Sequence, residues 1–135
     1  MSKPNVGILA TKDWVISLIN KVIKKGFNGY SNDEKVIGTW TDGKPLYRKV
    51  YDITTPSSAN TNTVLFNIGS EIEVKNMYGH IISPSGGVRP VPWNYSGAAI
   101  VIFVDPGIFY MNVNDNVNVK GRPGQIVLEY TKTTD

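Results

Sequence analysis

One stretch, residues 35–53, constrains the fold of this chain more than any other. It reads KVIGTWTDGKPLYRKVYDI, two runs rich in β-branched and aromatic residues on either side of Asp42-Gly43. Because glycine adopts a positive φ without steric cost and aspartate tolerates the left-handed region, this pair predicts the tight turn of a β-hairpin. Pro45 cannot donate a ladder hydrogen bond, so the second strand is expected to begin there or to lie at an edge. Both faces of this strand mix polar and apolar residues, which favours an outer or edge position.

The chain after the hairpin consists of short β-type runs separated by turn residues. The run at 99–104 is continuously apolar and is the candidate for a buried central strand. Residues 84–98 contain three prolines and three glycines and form the most irregular part. About seven to nine strands are predicted, without alternation of strand and helix. We therefore expect a mainly β fold, an antiparallel β-sandwich or jelly-roll-like module preceded by one short N-terminal α-helix.

The N-terminal segment, residues 1–29, predicts a helix at about residues 12–25. Thr11 is a suitable N-cap and Gly26 a suitable residue to follow the last turn. The apolar positions cover a broad face, and so short a helix needs a partner for that face. The helix either packs on the β module at 30–135, or it associates with copies of itself or docks on another protein. The second alternative assigns an anchor or oligomer interface to Trp14, Val15, Leu18, Ile19 and Val22.

Positive charge is concentrated at the N-terminus. Residues 1–25 carry five lysines and one aspartate, whereas the rest of the chain carries nine Lys/Arg and ten Asp/Glu. A nucleic-acid-binding protein more often spreads basic residues over one surface with interleaved aromatics, so no nucleic-acid partner is expected. No apolar run approaches the roughly 20 residues that span a bilayer, so no membrane insertion is expected. The first residues also lack the pattern of a secretory signal peptide.

The sequence offers little for catalysis or for holding a metal or cofactor. It has no cysteine and a single histidine, His80, which excludes thiolate and multi-imidazole metal sites and leaves one residue for any Ser-His-Asp triad. Glu71 and Glu73 are expected on one face of a strand, where a carboxylate pair could hydrolyse a glycoside, although solvated glutamates are the commoner explanation. We therefore expect no catalytic residues, no metal, no cofactor and a protein that is not an enzyme.

Recognition chemistry is the class of function that remains. Arg89, Trp93 and Tyr95 lie in the irregular stretch, where aromatic side chains are less readily explained as core. Aromatic faces beside an arginine can bind a sugar or a protein surface, so these three residues are candidate contacts to a ligand or receptor. The alternative is that Trp93 closes one end of the sandwich.

Two segments of the chain resemble a known module. Tyr30-Ser31 followed by EKVIGTWTDGKPLYRK at 34–49 is similar to a motif that recurs in bacteriophage tail-fibre and other virion appendage proteins. VLEYTKTTD at 127–135 is similar to the strand that ends the same module. The resemblance implies a small, non-enzymatic β module that is commonly oligomeric, often trimeric, and linked to attachment at a host surface. Residues 54–125 match no pattern of the family.

The same resemblance implies a location in a virion. The family module is usually carried on a long protein, whereas a short basic helical segment precedes it here, so the helix is expected to be the anchor. We therefore expect a bacteriophage virion structural protein, such as a head fibre, capsid decoration or tail accessory. Its expected partners are copies of itself, with a trimer favoured, other virion proteins through the N-terminal segment, and a host-surface glycan or protein. The alternative function is a carbohydrate-binding module that uses the loop aromatics.

Overall fold

The computed structural model describes residues 12–19 and 29–135. Residues 12–19 form a helix, α1, and residues 29–34 lead into the first of nine β-strands. The strands are β1 (Lys35–Thr39), β2 (Pro45–Thr54), β3 (Thr63–Gly69), β4 (Ile72–Ile82), β5 (Val88–Val91), β6 (Trp93–Tyr95), β7 (Ala98–Asp105), β8 (Gly107–Val113) and β9 (Pro123–Lys132). The described part of the chain is therefore mainly β, as the sequence predicts.

The strands form two antiparallel sheets. The five-stranded sheet has the order β1-β2-β9-β4-β5, and the four-stranded sheet has the order β3-β8-β7-β6. The chain changes sheet between β2 and β3, β3 and β4, β5 and β6, and β8 and β9, so the two sheets interleave along the sequence. A single apolar cluster contains residues of both sheets. The predicted antiparallel β-sandwich, preceded by a short helix, is confirmed.

Strands β1 and β2 form the predicted hairpin. Gly43 in its turn has a φ of 88°, and the Lys44 amide donates a hydrogen bond to Asp42 Oδ1 at 3.0 Å. β2 begins at Pro45, as expected. The expectation that β2 lies at an edge is wrong, because β9 pairs along its second side and β1 is the edge strand. The polar residues of β2 are accommodated by contacts on the two faces of the sheet, described below.

The core between the sheets is apolar and aromatic. Tyr51 of β2 stacks on Phe66 of β3 with ring centroids 4.0 Å apart, and Phe66 stacks on Phe109 of β8 at 4.7 Å. This stack of three rings connects the two sheets through their inner faces. The fully buried side chains also include Ile81, Ile100, Met111, Val113, Ile126, Leu128 and Tyr130.

Strand β7 contains the apolar run that predicts a buried central strand. It lies between β6 and β8, but only one of its faces is buried. Ile100 and Ile102 face the core, whereas Val101 between them is 55% exposed. Phe103, also on the outer side, stacks on Tyr110 of β8 with centroids 4.9 Å apart. We call this surface of the four-stranded sheet the apolar outer face and define it by Val64, Val101, Phe103 and Tyr110.

The irregular stretch at residues 84–98 contains two short edge strands. The sequence does not predict them, because the stretch is rich in proline and glycine. β5 pairs with β4 in the five-stranded sheet, and β6 pairs with β7 in the four-stranded sheet. Pro92 lies between them after a cis Val91-Pro92 bond, so the chain passes from one sheet to the other at this point. Pro90 is tolerated within β5 because one side of an edge strand makes no ladder hydrogen bonds.

Candidate functional site

A groove of about 360 Å³ lies on the outer face of the five-stranded sheet. Val50 of β2, Val127 of β9 and the backbone of Gly79 of β4 form its floor, and Tyr30 and Tyr78 line its sides. Both valines are buried although they face away from the core. We call this site the tyrosine groove. Its residues come from the start, the middle and the end of the β module, so no local sequence pattern predicts it.

The segment at residues 29–32 forms one wall of the tyrosine groove. The Val50 amide donates a hydrogen bond to the Ser31 carbonyl at 2.8 Å, and Asn32 Nδ2 donates to the Val50 carbonyl at 3.0 Å. Both main-chain groups of Val50 are therefore paired by this segment, which extends the sheet edge beyond β1. The wall is thus part of the fold and not a free N-terminal extension.

Tyr30 is held over the sheet by Arg48. The Arg48 guanidinium carbon lies 4.2 Å from the centroid of the Tyr30 ring, a cation–π contact. The hydroxyls of Tyr30 and Tyr78 lie 3.4 Å apart, within hydrogen-bonding distance. The Tyr30 side chain is nevertheless 63% exposed. Its position is therefore fixed while most of its surface stays accessible to a ligand.

Arg48 and Glu129 form an ion pair beside the groove. Arg48 Nε lies 2.9 Å from Glu129 Oε2, and each side chain is only 14% exposed. Glu129 also accepts hydrogen bonds from the Tyr78 hydroxyl at 3.1 Å and from Asn76 Nδ2 at 3.3 Å. Burial alone would lower the pKa of Arg48, but the hydrogen bond to Glu129 and the attraction of its charge, with smaller contributions from Tyr30 and Tyr78, together outweigh burial and raise the pKa. Burial, followed by hydrogen bonds with Tyr30 and Glu129, raises the pKa of Tyr78.

The remaining polar groups of the groove are a hydroxyl, two amides and an imidazole. Ser31, Asn32, His80 and Gln125 line it. Gln125 Nε2 donates to Asp52 Oδ1 at 2.8 Å, which fixes the orientation of its amide. Within residues 12–19 and 29–135, the His80 side chain has no hydrogen-bonding partner. The sequence identifies His80 only as a residue without catalytic partners, and the structure gives it a position in a groove.

Strands β4 and β9 approach each other closely beneath the groove. A Cβ added at Gly79 would lie 2.1 Å from the backbone oxygen of Gln125, and one at Gly124 would lie 2.2 Å from the backbone oxygen of His80. No side chain fits at either position unless the backbone moves. Two glycines on neighbouring strands therefore fix the floor of the tyrosine groove.

The three predicted contact residues meet at the edge strands β5 and β6. Arg89 Cζ lies 5.9 Å from the Trp93 ring centroid, and Trp93 meets Tyr95 edge to face with centroids 5.9 Å apart. Trp93 is half-buried and packs on the core, in agreement with the alternative that it closes one side of the sandwich. It also lines a shallow groove of about 460 Å³, whereas Tyr95 is 70% exposed. A ligand-binding role for these three residues stays a prediction.

The predicted anchor residues lie on an exposed helix. Every residue of α1 is exposed over residues 12–19, so this part of the helix does not pack on the β-sandwich. Its exposed apolar side chains include the predicted interface residues Trp14, Val15, Leu18 and Ile19. The predicted interface residue Val22 and the predicted cap residues Thr11 and Gly26 lie outside the described residues. The anchor or oligomer interface therefore stays a prediction.

The expectation that Glu71 and Glu73 both lie in one strand is wrong. β4 begins at Ile72, so Glu71 lies in the preceding turn with its carboxylate against Gly69. Glu73 is exposed, and its Oε2 lies 3.5 Å from Lys75 Nζ. Among the residues that the structure describes, no three His, Asp or Glu side chains cluster so as to hold a metal ion. In the same residues, no helix has the length and apolar character needed to cross a membrane.

The two segments that resemble a virion appendage module are neighbours in the structure. β2 and β9 pair with Tyr47 opposite Tyr130. Glu34, just before β1, accepts hydrogen bonds from the Tyr130 hydroxyl and from Lys132 Nζ, the latter at 2.8 Å. Burial would raise the pKa of Glu34, but these two hydrogen bonds and the charges of Lys132 and Lys49 together outweigh burial and lower it. Segments from opposite ends of the β module therefore form one unit, β1-β2-β9.

No family model, no curated protein and no solved structure matches this chain. The resemblance of the two segments to virion appendage modules therefore stays a prediction. Inferences about function depend on the tyrosine groove, the edge aromatics and the exposed helix.

Proposed function

We propose that this protein is a structural component of a bacteriophage virion, a β-sandwich module held on the particle through its N-terminal helix. It would act as a head fibre, a capsid decoration or a tail accessory and contribute to attachment at the host surface. The observation that carries the proposal is the pairing of the two segments that resemble virion appendage modules. Residues 34–49 and 127–135 lie side by side as β1, β2 and β9.

The unburied apolar side chains of α1 support the anchoring role. Trp14 is 64% exposed, and Leu18 and Ile19 on the same helix are exposed as well. An isolated helix of this length is marginal in water, and most of its stability must come from packing its apolar face. We therefore assign the helix to contacts with other copies of the chain, as a trimer, or with another virion protein.

The direct test is whether the chain is part of the particle. Gradient-purified particles of the phage that encodes the chain should contain its peptides at a constant ratio to the major capsid protein, as measured by mass spectrometry. Particles that lack these peptides would overturn the proposal.

Light scattering on the full chain tests the anchor itself. A trimer would have three times the chain mass of 14.9 kDa. Replacing Trp14, Leu18 and Ile19 together by serine should reduce the assembly to a monomer and abolish incorporation into particles. Ser17→Ala on the same helix is the matched control and should leave both unchanged. A helix variant that assembles normally would remove the helix from the proposal.

A second candidate function is a carbohydrate-binding module at the edge strands. The observation that favours it is the contact of Arg89 with Trp93 beside the exposed ring of Tyr95. It predicts glycan affinity that falls when Tyr95 is replaced by alanine and is abolished by Trp93→Ala. Because Trp93 also packs on the core, a thermal melt must show whether Trp93→Ala is still folded. If this variant unfolds, Tyr95→Ala alone tests the role of the edge aromatics in glycan binding.

A further inference from the structure

We propose that the tyrosine groove binds a neutral saccharide. This site lies on the outer face of the five-stranded sheet and is separate from the edge aromatics. The inference does not depend on the location of the protein in a virion. Four properties of the groove support it: its charge, its hydrogen-bonding groups, its apolar surfaces and its preformed shape.

The groove offers a ligand no carboxylate, ammonium or guanidinium group. No residue that lines it is an aspartate, glutamate, lysine or arginine. Beside the groove, Arg48 contacts Glu129 at 2.9 Å, and Asp52 accepts a hydrogen bond from the groove residue Gln125. A phosphate, a carboxylate or an ammonium group would lose hydration here without gaining an opposite charge. The occupant is therefore a neutral molecule.

The polar groups of the groove match the hydroxyl groups of a sugar. Asn32 and Gln125 each use a side-chain N–H within the protein, to Val50 and Asp52 respectively. Their amide oxygens point to no donor in the described residues and can accept hydrogen bonds from a ligand. The imidazole of His80 has two ring nitrogens that can form hydrogen bonds with a ligand, and it likewise has no partner in this part of the chain. Sugar hydroxyls donate and accept in the same way.

Apolar and aromatic surfaces complete the chemistry of the groove. Val50 and Val127 form an apolar floor, and the rings of Tyr30 and Tyr78 line the sides. A sugar ring presents C–H groups on its faces and hydroxyls at its rim, so it can contact both kinds of surface at once. The volume of about 360 Å³ lies at the lower end of the range of about 300–1,000 Å³ for small-molecule sites, which suits a single sugar or a short chain.

The groove is preformed by contacts within the protein. Tyr30 is held by the Arg48 guanidinium at 4.2 Å, and the floor is fixed by the close approach at Gly79. The wall at residues 29–32 is hydrogen-bonded to Val50. A preformed site loses little conformational entropy on binding, which matters for a weakly binding ligand such as a single sugar.

Saturation-transfer difference NMR on the full chain tests the proposal, because it detects weak binding to an assembly of any size. The probes are methyl β-D-glucopyranoside, methyl β-D-galactopyranoside and N-acetylglucosamine, with glucuronic acid and glucosamine as charged counterparts. At least one neutral probe should receive saturation, and its charged counterparts should receive several-fold less. Saturation of only the charged probes, or of none, would overturn the proposal.

Two substitutions locate the site. Tyr30→Ala and His80→Ala should each reduce the signal of the neutral probe by about fivefold or more, the usual loss for a residue at the centre of a binding site. Val117→Ala is the control, because Val117 at 70% and Tyr30 at 63% are similarly exposed and Val117 does not line the groove. It should leave the signal unchanged. A loss in Tyr95→Ala with none in Tyr30→Ala assigns sugar binding to the edge aromatics and overturns the groove.

Further measurements distinguish a loss of sugar binding from a folding defect, and a sugar from another ligand. If Tyr30→Ala melts early, His80→Ala decides, because the imidazole has no hydrogen-bonding partner in the described residues whose loss could destabilise the fold. Tetraproline serves as an uncharged peptide probe, and its saturation in place of the sugars would overturn the proposal. Mass spectrometry of particles tests the virion proposal independently, so either proposal can fail alone.

Discussion

The outer faces of the two sheets differ in how the chain completes them. On the five-stranded sheet, the segment at 29–32 and the Arg48–Glu129 pair cover the strands and leave a defined groove. On the four-stranded sheet, Val64 and Val101 are 50% and 55% exposed, and no described segment lies over them. One face is therefore finished by contacts within the described residues, whereas the other presents apolar side chains to solvent or to a partner.

The difference follows from where the polar residues of each sheet lie. β2, β4 and β9 place Arg48, Asn76, Tyr78 and Glu129 side by side, although they are far apart in sequence. These groups satisfy one another across the sheet. β7 has an apolar residue at nearly every position, so its outer side has no comparable network. The comparison teaches that strand alternation predicts which face is inward but not how the outward face is covered.

The largest expected effect comes from Gly79→Ala, which disrupts the floor of the tyrosine groove. The new Cβ would lie 2.1 Å from the Gln125 oxygen and 3.0 Å from Ile126 Cδ1, so β4 and β9 must separate. We expect a loss of about 3 kcal/mol or more in the free energy of unfolding. Urea denaturation measures it.

Gly38→Ala is the control for the glycine substitution. No atom lies within 4 Å of the position its Cβ would take, and its φ lies outside the left-handed region. The free energy of unfolding should change by about 0.5 kcal/mol or less. Equal losses in the two variants would show that the close approach of β4 and β9 is not what makes Gly79 necessary.

Arg48→Met gives the next largest effect, because it removes one member of the largely buried Arg48–Glu129 ion pair. Glu129 would keep its bonds from Tyr78 and Asn76 but lose its cation. Losing one partner of a fully buried pair costs about 3–5 kcal/mol, and with both side chains 14% exposed we expect about 2 kcal/mol.

The double variant Arg48→Met with Glu129→Leu sharpens this result, since it leaves no unpaired charge and should recover part of the loss. Lys75→Met, which breaks the exposed pair with Glu73, is the control and should cost about 0–1 kcal/mol. If Lys75→Met cost as much as Arg48→Met, burial of the ion pair would not explain its contribution.

The sequence predicts features that depend on neighbouring residues. It does not predict which distant segments contact and cover one another. The Asp42-Gly43 turn and the alternation of Ile100 and Ile102 toward the core depend on neighbouring residues only. Thr55 lies in the polar run TTPSSANTNT at 54–63, which is typical of a surface loop, yet it is 2% exposed. Its hydroxyl donates to the Val119 carbonyl and accepts from the Arg122 amide, partners more than 60 residues away. The propensity of a residue does not reveal such partners.

The candidate site illustrates the same limit. Arg89, Trp93 and Tyr95 lie within seven residues of sequence, and the structure does bring them together. The tyrosine groove combines residues near positions 30, 80 and 125, so no window of sequence contains it. Two signals in the sequence were available. A lone histidine follows Gly79 in a strand, and tyrosines stand at positions with no obvious place in the core.

The two outer faces should also differ in how they contribute to the loss of stability at high pH, an effect smaller than those of the substitutions above. Burial and hydrogen bonds with Tyr30 and Glu129 raise the pKa of Tyr78 above its ordinary value. The unfolded chain therefore loses the phenol proton of Tyr78 at a lower pH than the folded protein does. The contribution of Tyr78 to the free energy of unfolding is complete below about pH 10 and is lost as the pH rises further. Tyr78→Phe should make the loss between about pH 9.5 and 11 shallower, as measured by urea denaturation at each pH.

Tyr110→Phe on the apolar outer face is the matched control for the pH series. It removes a phenol hydroxyl that makes no hydrogen bond within the described residues, so the slope against pH should match that of the unsubstituted protein. If both variants reduced the slope of the free energy of unfolding against pH equally, the loss of stability at high pH would not come from Tyr78 on the outer face of the five-stranded sheet.

The smallest effect on folding is expected from Val101→Thr combined with Val64→Thr on the apolar outer face. Threonine keeps the β-branched shape that suits a strand and makes the surface more polar. Because both valines are about half exposed in the described structure, the free energy of unfolding should change by about 0.5 kcal/mol or less. Sedimentation velocity should at the same time show weaker self-association if another copy covers this face. A loss of stability above about 1 kcal/mol that grows with protein concentration would mean that the face is already buried in the assembled protein, because mass action stabilises only a folded state that binds its partner.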